Sequence, residues 1–198
     1  MLWKVIDMKI IDITRELFSA PVYPNDPRPE LESVYRMDEG NGCNMSVLHA
    51  CLHNGTHMDA PLHFYADGKD MAAIHLEDLI GECSVVEWHG ELYGADVENI
   101  LPSLRPRVLF KGDVQISQSA AFVLSDSQIT LVGVESQTVE PVSGEFNVHR
   151  QLLGNNVTVL EGLDLSKVKE GVYFLFAAPL KIEGADGSPV RAILLERK

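Results

Sequence analysis

Residues 53–64 read His53-Asn54-Gly55-Thr56-His57-Met58-Asp59-Ala60-Pro61-Leu62-His63-Phe64 and gather three of the chain's seven histidines and an aspartate into eleven positions. A helix would bring His53 and His57, four apart, to one face. Gly55, Pro61 and the absence of a glutamate after His53 argue against a His-Glu-x-x-His helix. An extended chain suits the stretch better. With a period of two, His53, His57, Asp59 and His63 share one side, and Gly55 leaves room at its centre. Neutral imidazoles and a carboxylate are the ligand set of zinc, manganese or a similar divalent ion. Turn capping employs one Asp or His per turn and leaves four such groups on one side unexplained. His49, His75 and His89 stand alone and read as surface or satisfied core histidines.

Around this stretch, short apolar runs alternate with turn signals. Strands are expected at Lys9–Thr14, Met45–Leu52, Cys83–Trp88, Val108–Lys111, Ile129–Val134, Val157–Leu160, Val172–Pro179 and Val190–Leu195. Helical patterns are expected over Met71–Ile80 with Gly81 as its stop, Asp96–Leu101, Ser119–Leu124 and Val148–Leu153. Glu183–Pro189 reads as the connection of a terminal hairpin. No linker or repeat divides the chain, so its 198 residues are expected to form one mixed α/β domain, 1–198, with a substantial sheet or barrel.

The formal charge of −13 is the reverse of what nucleic acid or an anionic membrane attracts. It favours a small-molecule or protein partner. Val172–Leu180, the longest apolar run, falls far short of the roughly 20 residues a bilayer needs. No secretory leader pattern is visible, which predicts a cytoplasmic protein. Cys43, Cys51 and Cys83 are odd in number and lack a Cys-x-x-Cys pair, so buried free thiols are expected rather than a disulfide framework or thiolate zinc site.

The pattern His53-x-Gly55-Thr56-His57-x-Asp59-x-Pro61-x-His63-Phe64 resembles the signature of the metal-dependent cyclase family, which includes bacterial kynurenine formamidases. Further similar stretches follow in family order: Ile11–Thr14, Pro21–Pro27, Leu131–Glu135, His149–Leu153, Leu160–Leu163 and Gly184–Ala192. Asn25 stands where many relatives carry glycine, and asparagine tolerates the same left-handed turn. The resemblance implies a swivelling β/β/α fold and a site of two divalent ions, zinc or alternatively manganese, held by His53, His57, Asp59, His149 and Glu161. His63 would be the catalytic histidine, with metal ligation as its rival role. Five ligands exceed one tetrahedral zinc and suit two ions, with Asp59 as the bridge. The run Val157–Leu160 would carry Glu161 inward, where a metal would neutralise it.

The implied reaction is hydrolysis of N-formyl-L-kynurenine to kynurenine and formate. The ions would acidify water and polarise the formyl oxygen, and His63 would pass a proton to the departing nitrogen. Tyr23, Phe64, Tyr65 and Trp3 are candidates for an apolar wall around an aryl substrate. Alternatives are hydrolysis of a cyclic amide such as isatin or of another small amide or ester, and a non-catalytic metal-binding protein. The resemblance also implies a homo-oligomer, dimer or tetramer, whose N-terminal stretch completes a neighbouring pocket.

Overall fold

Strands with an apolar middle that are buried at nearly every position have no solvent face, and they belong in the middle of a sheet covered on both sides. Arg107–Lys111, Leu131–Val134 and Thr158–Glu161 behave in this way. A computed structural model describes residues 8–141 and 145–197. In chain order its strands are β1 (Met8–Asp12), β2 (Glu30–Tyr35), β3 (Met45–His49), β4 (His57–Asp59), β5 (Ile80–Glu87), β6 (Gly90–Leu92), β7 (Arg107–Lys111), β8 (Val114–Ile116), β9 (Leu131–Val134), β10 (Thr158–Glu161), β11 (Gly171–Phe176), β12 (Gly187–Pro189) and β13 (Ile193–Arg197). The α-helices are α1 (Leu76–Leu79), α2 (Gly94–Ile100), α3 (Gln118–Ser125) and α4 (Asn147–Gly154).

Nine strands form one mixed sheet in the order β1-β13-β11-β5-β7-β9-β10-β4-β12. The centre, β5-β7-β9-β10, is parallel, and α2, α3 and α4 lie in the successive connections between these strands. Both flanks are antiparallel. One core lies under the helices, where Phe110, Val132 and Val159 meet Val97, Leu124 and Leu152. The other joins Met58 and Ala60 beside one edge to Leu175 and Leu194 near the other. Strands so distant in sheet order share a core only if the sheet curls around it. This is the mixed α/β architecture expected from the sequence. No described helix is long and apolar enough to cross a membrane.

All eight expected strands overlap observed ones, with shifted ends. Val172–Pro179 stops at Phe176, and Val190 makes only an isolated bridge to Pro179 before β13 begins. The expected helix Met71–Ile80 is instead a 3-10 turn, Met71–Ala73, followed by the single turn α1. Extended Ile74 and His75 separate the two, and Ile80 already starts β5, so Gly81 stops nothing. The expected hairpin connection Glu183–Pro189 contains β12, which pairs with β4 at the sheet edge. Strands β2, β6 and β8 lay outside the expected set. Asn25 adopts φ +74°, the left-handed turn anticipated for it. Of the cysteines, only Cys83 is buried; Cys51 is half-buried and Cys43 exposed.

Candidate metal centre

The 53–64 stretch is extended only across β4. Gly55 turns at φ +67°, and Pro61 opens a 3-10 turn that ends at His63, so the uninterrupted extended run expected from His53 to His63 does not form. The side chains converge nonetheless. β4 buries Met58 in the core and turns His57 and Asp59 to its opposite side, while the flanking turns bring His53 and His63 to the same place.

Two distant segments complete the cluster. Glu161, at the end of β10, faces His57 in register, and His149 comes from the first turns of α4. Asp59 Oδ1 lies 2.8 Å from His53 Nδ1 and 3.6 Å from His57 Nε2, and its Oδ2 is 3.5 Å from His149 Nε2. Glu161 spans the same pair, with Oε2 3.2 Å from His57 Nε2 and Oε1 3.1 Å from His149 Nε2. Three groups of potential ligand atoms result among the described residues: His53/His57/Asp59 and Asp59/His149/Glu161, which share Asp59, and the less buried His53/His63/Asp186. His57, Asp59, His149 and Glu161 are only 1–3% exposed. Carboxylates buried this closely require cations beside them. Imidazolium supplies the charge in the metal-free chain, and a divalent ion supplies it with release of protons, so this donor set fits such an ion.

The outward nitrogen of each buried imidazole is also held. His57 Nδ1 lies 3.0 Å from the Gly55 carbonyl, His149 Nδ1 is 3.2 Å from Glu140 Oε2, and His53 Nε2 is 2.9 Å from Asp186 Oδ2. Such acceptors fix the tautomer that turns the other nitrogen inward. Glu140 also accepts the backbone N–H groups of Asn147, Val148 and His149, capping α4 where Phe146 offers no side-chain cap. The cluster's charges govern its titration. Burial would lower His53 and His149, but Asp59 and Asp186 push the first up to about 9, and Asp59, Glu140 and Glu161 push the second up to about 11. Burial would raise Asp59, yet the imidazoles around it hold it well below the usual carboxylate range. His63 is lowered, chiefly by burial and against the attraction of Asp59.

The approach of the two glycine-bearing segments is tight. Gly162 follows Glu161 at φ +69°, and a Cβ there would fall 2.3 Å from the Gly55 carbonyl oxygen. Thr56 Oγ1 donates to the Gly162 carbonyl at 2.6 Å, tying the β4 approach to the end of β10.

The cluster opens into a cavity of about 420 Å3 lined by Tyr23, Phe64 and Phe146 as well as the polar groups, a size suited to a small organic molecule. His63 lines it, with its ring stacked on His53 at 4.1 Å between centroids. Phe64 lies both here and against the core under the helices. Tyr65 is not in this cavity: its hydroxyl donates to the Arg150 carbonyl at 2.8 Å and it lines a neighbouring groove. Trp3 lies outside the described residues. Glu140, Asp186 and Phe146 were not among the expected site residues. Lone carboxylates in loops carry no spacing signal, although Asp186 does sit in the Gly184–Ala192 stretch.

The Cyclase family profile matches residues 11–105. A kynurenine formamidase of Erythrobacter litoralis (strain HTCC2594) is 36% identical over 210 residues, covering 98% of this chain and 96% of that protein. Among solved structures, a predicted metal-dependent hydrolase from Bacillus stearothermophilus superposes with a TM-score of 0.81 at 30% identity, over 96% of this chain and 99% of the other. Isatin hydrolase A from Labrenzia aggregata has the same fold, with a TM-score of 0.83 at 22% identity over 96% and 94% of the two chains.

Proposed function

The chain belongs to the Cyclase family, and from that membership we propose that it is a metal-dependent amidohydrolase converting N-formyl-L-kynurenine to L-kynurenine and formate. One observation carries the reading: two ligand groups share Asp59 beneath a cavity whose wall also holds His63 and aromatic rings. The name of the 36% identical relative supports this choice of substrate.

Under this reading two ions, zinc or alternatively manganese, would be held by His53, His57 and Asp59 and by Asp59, His149 and Glu161. When bound, they supply Lewis acidity toward water and the formyl oxygen. Asp59, common to both groups, would be shared between them. Glu161 Oε1 is steadied by the Val139 N–H at 2.7 Å. Tyr23, Phe64 and Phe146 cover the aryl ring and exclude water from it. In the reaction the water oxygen forms the new C–O bond and the C–N bond breaks. His63 delivers a proton to the departing nitrogen, which leaves as a neutral aniline. Formate departs as the anion, and the remaining proton passes to solvent.

The test is turnover of N-formyl-L-kynurenine by zinc- or manganese-supplemented protein, beside a panel of cyclic amides including isatin. Release of kynurenine and formate is expected; turnover of a cyclic amide alone overturns the substrate. His63→Ala is expected to keep the metal and lose roughly 10²- to 10⁴-fold in kcat. Loss of metal together with activity would make His63 a ligand. Asp59→Ala is expected to lose both ions, and full occupancy in that variant would remove Asp59 as the bridge.

The reading includes a homo-oligomer. Every residue of β2 and β3 is exposed, Leu31 at 59% and Leu48 at 49% among them, and a two-stranded hairpin standing alone is marginal in water. Val172, Phe174 and Phe176 add an exposed apolar face on β11. A second copy of the chain is the proposed cover. Light scattering is expected to give a dimer or tetramer mass that drops in Leu31→Ser/Leu48→Ser; a monomeric parent overturns this part.

A further inference from the structure

We propose that Asp186 is the positioning residue of this site, a single carboxylate oxygen that sets the tautomer and seating of both His53 and His63. The inference rests on the reading of His63 as the proton-transferring group.

Asp186 Oδ2 lies 2.9 Å from His53 Nε2 and 3.1 Å from His63 Nδ1. A carboxylate only accepts hydrogen bonds, so both nitrogens that reach this oxygen carry hydrogen. For His53 the consequence is that Nδ1, 2.8 Å from Asp59, is the nitrogen left for a metal. His53 then follows His57 and His149, each held on its outward nitrogen by its own acceptor. For His63, Nδ1 is committed as the donor, and the lone pair of the neutral ring sits on Nε2. A ring locked in one tautomer offers the same atom for proton transfer in each turnover. Asp186 is the ring's one hydrogen-bond partner among the described residues. The stacking of the two rings follows from their common acceptor.

The backbone around Asp186 is built to keep that oxygen in place. Its carbonyl accepts the Ala60 N–H at 2.9 Å, the Ala185 carbonyl accepts the Met71 N–H at 2.9 Å, and the Gly184 N–H donates to Asp70 Oδ2 at 2.7 Å. The next residue, Gly187, opens β12 directly opposite Asp59, and a Cβ there would meet His53 Cε1 at 2.6 Å. The His53 ring therefore rests on the edge strand that presents Asp186. The Asp186 side chain is 42% exposed, so packing alone gives no reason for its charge.

The experiment compares the parent with Asp186→Asn and Asp186→Ala, each saturated with zinc. Zinc content, kcat and KM are measured, together with ring 15N spectra of histidine-labelled protein at mildly alkaline pH. Expected are parent-like zinc content, KM within about twofold, a fall of roughly 10- to 100-fold in kcat, and a shift of the His63 ring from a single Nδ1–H tautomer to a mixture. Unchanged kcat with unchanged His63 nitrogens overturns the proposal. Loss of a zinc equivalent that saturating zinc does not restore also overturns it, because Asp186 would then act as a ligand rather than through His53. If instead the parent fails to hydrolyse the formamide, or His63→Ala retains full turnover, the functional reading falls, and the ring spectra still decide whether Asp186 sets the tautomer.

Discussion

Under the proposed ligand set, protons and metal would compete for the same nitrogens at His53 and His149. In the metal-free chain the surrounding carboxylates hold these rings at about 9 and about 11, against about 6.5 for an unfolded histidine. Raised values of this kind contribute stability that is complete below about pH 6.5 and lost as the pH rises toward the folded values. Metal binding requires those protons to leave, so affinity runs the opposite way and strengthens over the same window. Melts of metal-free protein at about pH 6.5, 7.5 and 8.5 are therefore expected to move down with pH, while apparent metal affinity rises. A metal-free melting temperature that climbs across this window would contradict the charge state assigned to the cluster. The partly exposed His63 is lowered rather than raised and adds nothing to this trend.

At the scale of elements, what was legible in the sequence were features fixed by local chemistry. The apolar runs marked the central strands β7, β9 and β10, and the helical pattern Val148–Leu153 marked α4 to within one residue at each end. The hairpin strand β2 escaped because its apolar and polar residues follow no buried face, and β12 because Gly187–Pro189 reads as part of a turn. The ligand candidates of 53–63 were legible from spacing, but their extended course was not, since Gly55 and Pro61 redirect the chain on either side of β4. Convergence depends instead on junctions such as Gly162. Any side chain there meets the Gly55 carbonyl and must adopt a left-handed backbone. Gly162→Ala is expected to cost about 2–4 kcal/mol, roughly 5–15 °C in melting temperature for a chain of this size, and to weaken metal binding by displacing Glu161. A melt within about 1 °C of the parent would show that the β4 and β10 segments can part without loss.

The sheet curls around a core that the His/Asp/Glu cluster helps to join. His53, His57 and Asp59 come from β4 and the turn before it, His149 from α4 and Glu161 from β10, and these segments are brought together only in the folded chain. Without metal, Asp59 and Glu161 depend on protonated imidazoles for compensation. Ions that bind the assembled donors and not the unfolded chain shift folding by mass action, about 2.7 kcal/mol for one site at a hundredfold excess over Kd. The two proposed sites sharing Asp59 would act on the same junction of β4, β10 and α4, so their effects would reinforce each other. Chelation followed by verified removal is expected to lower the melting temperature by at least about 5 °C, and re-addition of zinc or manganese to restore it. The loss should be sharply reduced in Asp59→Ala, which lacks the carboxylate common to both groups. An unchanged melt after removal would place the ions outside the tie between these elements. An equal loss in Asp59→Ala would show that the stabilising ions bind elsewhere on the chain.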